Sequence, residues 1–128
     1  MIKAQLQLEN LFFPETGMEV EALVDTGASY SVIPSSWAEQ LYLKKIGESK
    51  AELADGTGKM MDRVAGLAVT FEGRTANAIA LVRGNEFILG MEAMQQMDVV
   101  CSPSHKRLMI NPSHPEMPGC IMKGYRCV

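Results

Sequence analysis

The alternation of apolar and polar positions predicts a chain built mainly of short β-strands. Ile2–Leu8 and Leu67–Phe71 place every second side chain on one face, as half-buried strands do. Met18–Val24 and Ser31–Ile33 are apolar stretches on either side of a short turn, and Thr75–Val82 is another strand candidate. Strands and turns that follow one another this closely are typical of a β-barrel or a β-sandwich.

Two short helices are predicted between the strands. Ser36 and Glu39 have the spacing of a capping box, which indicates a helix over Trp37–Leu43, with an irregular loop as the alternative. Met91–Met97 carries a methionine at every third position, which is helical spacing. Because methionine packs adaptably, we interpret this stripe as core and not as a cofactor or metal site.

Two further hairpins and a tail complete the predicted elements. Ala51–Met61 indicates strand, turn and strand, because Asp-Gly supplies the backbone angles that tight hairpin turns need. Val99–Cys101 and Leu108–Ile110 are expected to pair across Ser102–Ser104. Prolines and glycines after Asn111 break any regular pattern. We therefore predict a domain over residues 1–110 and an irregular tail over 111–128.

The two halves of the predicted domain are weakly similar to each other. Ala22–Val24 and Ala80–Val82 are each followed by a loop, an apolar strand and a helix, which suggests a pseudo-twofold relation. The first loop carries Asp25-Thr26-Gly27 and the second carries Arg83-Gly84-Asn85. Of these two triplets, only the first therefore holds a carboxylate.

Composition restricts the class of protein. The chain has 128 residues, 47% hydrophobic, 21% charged and a net charge of −3, which predicts one folded domain. Its scattered basic residues indicate no nucleic-acid partner, and its apolar runs are too short for a membrane span. Cys101, Cys120 and Cys127 are an odd set without the spacing of a disulfide framework, and no export signal is visible. We expect free thiols in a reducing compartment and a cytoplasmic location.

Asp25 is the candidate for chemistry. It follows the apolar Ala22–Val24, and an acid at the mouth of a buried strand is costly unless its environment uses it. A plain strand-ending turn is the alternative, since Asp, Thr and Gly all favour turns. The histidines and cysteines show no short metal-ligand spacing, so neither a metal nor a cofactor is predicted.

The wider context of Asp25 resembles a known family. The segment Ala22–Pro34 is similar to the active-site segment of retropepsin-like aspartic proteases. In both, an apolar strand is followed by Asp-Thr-Gly-Ala and a second apolar strand. Ala54–Gly56 resembles the start of the family's flap hairpin, and Phe87–Met91 resembles its second apolar-Gly signature. The resemblance implies an all-β, closed six-stranded barrel of the acid-protease type with one or two short helices, forming one half of a symmetric dimer.

The same resemblance implies roles for single residues. Asp25 would be the catalytic acid and base, and Thr26 would donate its hydroxyl across the dimer to the opposite loop. Gly27 would allow close backbone approach, and Ser29 could hydrogen-bond Asp25. The implied active-site loop is Thr26, Gly27, Ala28 and Ser29; the implied substrate-binding flap is Ala54, Asp55, Gly56, Thr57 and Gly58; the implied second-half signature is Ile88, Leu89 and Gly90.

Paired acids have a physical reason in this chemistry. Two carboxylates about 3 Å apart cannot both ionise, so one activates water and the other donates a proton to the developing oxyanion. Since this chain has one such acid, its partner would be Asp25 of a second copy, and the resemblance implies a homodimeric endopeptidase acting on extended peptides. Ser29-Tyr30 and Met91-Glu92 replace the Asp and Arg that brace the viral dimers. A non-catalytic peptide-binding module or a dimerisation module on the same fold is the alternative.

Overall fold

The computed structural model describes residues 1–122 and 125–127, so the end of the predicted tail, Val128, lies outside the described residues. The strands are β1 (Lys3–Asn10), β2 (Phe13–Val24), β3 (Ser31–Ile33), β4 (Lys44–Glu52), β5 (Gly58–Phe71), β6 (Arg74–Val82), β7 (Ile88–Leu89), β8 (Val99–Ser102), β9 (Arg107–Ile110), β10 (Cys120–Met122) and β11 (Tyr125–Cys127). The helices are α1 (Ser35–Gln40) and α2 (Met91–Met97). Within the described ranges, neither helix is long and apolar enough to cross a membrane.

Six strands close into a ring. Their order is β1, β2, β7, β3, β6 and β5, and β5 pairs in turn with β1. The long strand β5 also pairs with β4 beyond the ring, so that β4 and the first part of β5 project as a hairpin. The predicted all-β fold, with a closed ring of six strands and two short helices, is confirmed.

The two halves of the ring repeat the same pairing. β2 lies parallel to β7, β3 lies parallel to β6, and the two short strands β3 and β7 meet antiparallel between them. The residue after each long strand donates its backbone N–H to the end of a short one: Asp25 to Leu89 O at 3.0 Å and Arg83 to Ile33 O at 2.9 Å. The predicted pseudo-twofold relation is therefore present. It places residues 25–30, here called the Asp25 loop, at the junction of the halves.

The core fills the ring and continues under both helices. Alternate residues of β1 and β2 point inward, as the pattern predicts. Met94 and Met97 are 3% and 0% exposed, which confirms that the methionine stripe is core. The largest side chains below 2% exposure are Leu8, Ile33, Leu41, Leu67, Val69, Phe87, Leu89 and Met97. The strand ends that carry the loops thus rest on a close-packed interior.

The predicted first helix is wrong in its start and its cap. It begins at Ser35 after Pro34, and no side chain caps it. Pro34 O accepts hydrogen bonds from the N–H groups of Trp37 and Ala38, so Ser36 lies inside the helix and the capping box does not form. The helix ends before Tyr42, whose φ of 54° cannot continue it.

The C-terminal hairpins differ in detail from the sequence prediction. β8 and β9 pair as expected, but Ser102 belongs to β8 and the turn spans residues 103–106. Beyond Asn111 the chain was expected to be irregular, whereas β10 and β11 pair as a short antiparallel ribbon. Single-sequence patterns missed this ribbon because its strands have three residues each, too few to show a period.

The segment before that ribbon is bound to the body around Asp98, which ends α2 with a φ of 54°. The Asp98 carboxylate accepts hydrogen bonds from Asn111 Nδ2 at 3.0 Å and Gly119 N at 2.8 Å, and it lies 2.5 Å from His114 Nδ1. The buried Arg74 donates to Asp98 O at 3.0 Å and also to His114 O. Residues 111–119 are therefore packed against the domain, and the boundary at residue 110 stays a prediction.

Candidate active site

Asp25 lies where β2 leaves the ring. Its N–H bonds Leu89 O, which fixes the start of the loop to β7, while its side chain is exposed. Asp25 Oδ1 accepts a hydrogen bond from Gly27 N at 2.8 Å, and Asp25 O accepts one from Ala28 N at 3.2 Å. The loop thus folds back on its own acid, so the carboxylate has a fixed orientation at a solvent-facing edge.

The first turn of α2 is hydrogen-bonded to this loop. Met91 N donates to Ala28 O at 2.8 Å, and Glu92 N donates to Ser29 O at 3.0 Å. N–H groups in the first turn of a helix have no partner within the helix, so loop carbonyls satisfy them. The Asp25 loop and α2 are consequently joined by backbone bonds that do not depend on side-chain identity.

Gly90 makes this close approach possible. A Cβ on Gly90 would lie 2.5 Å from the carbonyl carbon of Tyr30 and 2.9 Å from Ser31 N, where only backbone could yield. Gly90 N also donates to the buried Ser31 Oγ at 3.1 Å. The glycine of the second-half signature is therefore explained by contact with the Asp25 loop.

The predicted flap is the tip of the β4–β5 hairpin. Residues 54–57 form its exposed end, and Gly58 opens β5. Leu53 N bonds Thr57 O at 2.8 Å, and Asp55 Oδ1 accepts from Thr57 Oγ1 at 2.6 Å and from Thr57 N at 3.0 Å. The hydrogen bonds from Thr57 hold the pKa of Asp55 below its ordinary value, and the bond from the Thr57 hydroxyl has the larger effect. The tip is a closed turn with a charged residue at its apex.

The structure brings some predicted site residues together and leaves others apart. Asp25, Ala28 and Ser29 meet the segment Leu89–Glu92 through the bonds above. The hydrogen bond described at the Asp25 carboxylate comes from Gly27 and not from Ser29. Thr26 is exposed, and its role across a dimer stays a prediction. Within residues 1–122, no cluster of three His, Cys, Asp or Glu side chains has the arrangement of metal ligands.

Two residues that support the site were not predicted from the sequence. Ser31 accepts from Gly90, and Glu92 accepts from Ile79 N at 2.8 Å. In the sequence, Ser31 and Glu92 stand out only as polar residues beside apolar ones. This pattern does not show which distant residue each of them contacts.

Comparisons with known proteins agree with this geometry. The family model described as aspartyl protease matches residues 15–105. Among solved structures, the chain resembles EIAV protease complexed with the inhibitor HBY-793, with a TM-score of 0.59 and 19% identity over 74% of this chain and 86% of that one. It also resembles the simian foamy virus (mac) protease, with a TM-score of 0.52 and 17% identity over 72% of this chain and 90% of that one. A search of curated proteins finds no significant match.

The match covers the elements that build the site. Residues 15–105 run from β2 through the Asp25 loop, the flap hairpin and α2 to the β8–β9 turn. The similar solved structures show the fold of the retroviral proteases. The chain therefore belongs to the aspartyl protease family, and its fold is that of the retropepsin-like proteases.

Proposed function

We propose that two copies of this chain form a symmetric homodimer in which the two Asp25 carboxylates share one proton and hydrolyse peptide bonds. The observation that carries the proposal is the exposed Asp25 carboxylate, oriented by Gly27 N on a loop that α2 supports from below. The equivalent loop of the second half begins with Arg83 and supplies no aspartate. An aspartate equivalent to Asp25 must then come from another copy.

The reaction would be general acid–base catalysis without a covalent intermediate. The ionised member of the pair takes a proton from water, which attacks the peptide carbonyl carbon. The protonated member donates its proton to the carbonyl oxygen, giving a tetrahedral diol, and proton transfer to the amide nitrogen then allows the C–N bond to break. Two acids so close cannot both ionise, which keeps one of them protonated.

The substrate class follows from the two edges of the site. The Asp25 loop would form the floor, and the β4–β5 hairpin with its tip at Ala54–Gly58 would form a flap above it. An extended peptide between them could hydrogen-bond its backbone to both, as an added strand does. Closure of the flap would exclude water other than the nucleophile.

The proposal predicts that Asp25→Asn abolishes cleavage without unfolding the protein. We expect peptide digestion at acidic pH to fall by about a hundredfold or more, since acid–base catalysis by a positioned group contributes on this scale. Sedimentation of both proteins gives the oligomeric state. Equal cleavage by wild type and Asp25→Asn would overturn the proposal and favour a peptide-binding module on the same fold.

Mixed dimers test whether the acid pair is shared. When wild type and Asp25→Asn are refolded together in equal amounts, random pairing leaves about one quarter of the dimers with two aspartates. Activity should then fall to about one quarter of that of wild type alone at the same total concentration. A fall to about one half would mean that each chain carries a complete site, and the shared pair would be rejected.

A further inference from the structure

The position of the Asp25 loop depends on the first turn of α2. That turn holds the loop through two backbone N–H groups, those of Met91 and Glu92, which donate to Ala28 O and Ser29 O. Whatever fixes the turn relative to the β-ring consequently fixes the loop. The bond from Asp25 N to Leu89 O fixes only the start of the loop, and the two bonds to Ala28 O and Ser29 O would allow the rest of the loop and the turn to shift together.

The Glu92 side chain ties this turn to strand β6. Its Oε1 accepts a hydrogen bond from Ile79 N at 2.8 Å, and the residue is half-buried. β3 pairs with β6 from Ala80 to Val82, so Ile79 lies immediately before the first residue of that pairing. The Glu92 carboxylate therefore accepts the hydrogen bond that a carbonyl of a neighbouring strand would accept if β3 extended as far as Ile79.

Gln96 makes the same kind of contact one helical turn later. Its Oε1 accepts from Asn77 N at 2.9 Å, and its Nε2 donates to Asn77 O at 2.9 Å. Glu92 and Gln96 lie on one helix face, as residues four apart do, and both cover the edge of β6. The difference that matters here is that the backbone N–H of Glu92 also donates to Ser29 O, whereas Gln96 has no bond to the Asp25 loop among those described.

We propose that Glu92 is a positioning residue of the peptidase, which through its side chain on Ile79 N and its amide on Ser29 O sets the Asp25 loop against the β-ring. The proposal rests on the proposed function of Asp25. The acceptor oxygen is the essential group, and the charge is secondary.

The first test compares three variants in peptide cleavage. Glu92→Ala removes the acceptor, Glu92→Gln keeps an acceptor oxygen, and Gln96→Ala removes the matched contact that does not reach the loop. We expect Glu92→Ala to lower kcat about ten- to hundredfold with KM within about twofold, because small misplacements of catalytic groups cost this much. Glu92→Gln should stay within about threefold of wild type, and Gln96→Ala should leave kcat unchanged.

The second test needs no activity. Native-state hydrogen exchange at the Met91 and Glu92 amides reports the two bonds to the loop directly. We expect about tenfold faster exchange at both amides in Glu92→Ala, and wild-type exchange in Glu92→Gln and Gln96→Ala. If Glu92→Ala does not fold, Glu92→Met takes its place, because methionine keeps the length of the side chain and removes both carboxylate oxygens.

The outcomes separate this proposal from the proposed function. If Glu92→Ala and Gln96→Ala change kcat and amide exchange equally, Glu92 has a structural role only, and the proposal is overturned. If Glu92→Gln loses protection as Glu92→Ala does, the acceptor oxygen is not the essential group, and the proposal is also overturned. If wild-type cleavage does not depend on Asp25, the proposed function fails, while amide exchange still decides whether Glu92 holds the loop.

Discussion

At the scale of the residue, Gly90 is the described glycine at which an added Cβ would come nearest to other atoms. Its Cα faces the backbone of Tyr30 and Ser31 closely enough that any Cβ requires the Asp25 loop to move. We predict that Gly90→Ala lowers the free energy of unfolding by about 1–3 kcal/mol, the usual cost of overpacking. Chemical denaturation measures this change.

Gly17→Ala provides the matched control for Gly90. A Cβ at Gly17 would meet its nearest atoms at 3.5 Å, which is ordinary contact. This variant should therefore be as stable as wild type. Equal stability of Gly90→Ala and Gly17→Ala would contradict the close approach.

Single residues differ in how far the sequence reveals them. Asp25 and Gly90 are visible because each lies in a local motif with apolar residues around it. Glu92 and Ser31 are not, since their partners Ile79 and Gly90 are 13 and 59 positions away. Hydrogen bonds to backbone N–H groups leave no residue preference at the partner that a single sequence could show.

At the scale of the element, the flap tip depends on one side chain. Thr57 donates from both its hydroxyl and its N–H to Asp55 Oδ1. Thr57→Val keeps the shape of the side chain and removes the hydroxyl. We predict that the pKa of Asp55 rises toward its ordinary value, because the largest cause of its depression is lost, and that backbone order falls over residues 54–58.

NMR provides both measurements, a titration of the Asp55 carboxyl and relaxation of the backbone amides. Thr70→Val is the control, because Thr70 bonds Thr75 in a similar hydroxyl contact beside another hairpin turn. It should leave the pKa of Asp55 and the order of the flap unchanged. An unchanged titration in Thr57→Val would show that the hydroxyl does not hold the turn.

Element boundaries were predicted less well than element types. The long strands of the ring and the methionine helix α2 follow from their periods, whereas α1 begins earlier than its apparent cap at Ser36. The reason is that Pro34 already supplies an extended N-cap conformation, so the helix can begin directly after it. The pairing of β10 with β11 could not be predicted, because strands of three residues are too short to show an alternating pattern.

At the scale of the whole molecule, the network around Asp98 makes stability depend on pH. Burial of the carboxyl opposes its ionisation, but hydrogen bonds from Asn111, Gly119 N and His114 outweigh this and lower its pKa from 3.8 to about 2. Since the pKa of Asp98 is lower in the folded than in the unfolded state, its ionisation contributes to the free energy of unfolding. This contribution is full above about pH 4 and is lost as pH falls through about 2. It amounts to about 2 kcal/mol.

Comparison with Asp98→Asn isolates this contribution. Asparagine tolerates the left-handed backbone at this position, so the end of α2 is preserved. The difference in unfolding free energy between wild type and Asp98→Asn should be largest near pH 5 and should shrink toward pH 2. A difference that stays constant over this range would mean that the Asp98 carboxyl does not titrate as described.

The same network has a consequence for synthesis of the protein on the ribosome. The hydrogen-bond partners of the Asp98 carboxylate come from residues 111–119, after every strand of the ring has been made. The C-terminal end of α2 is therefore completed only when translation has passed Gly119. A nascent chain released before that point would carry the Asp25 motif on a scaffold in which the Asp98 carboxylate still lacks these three partners.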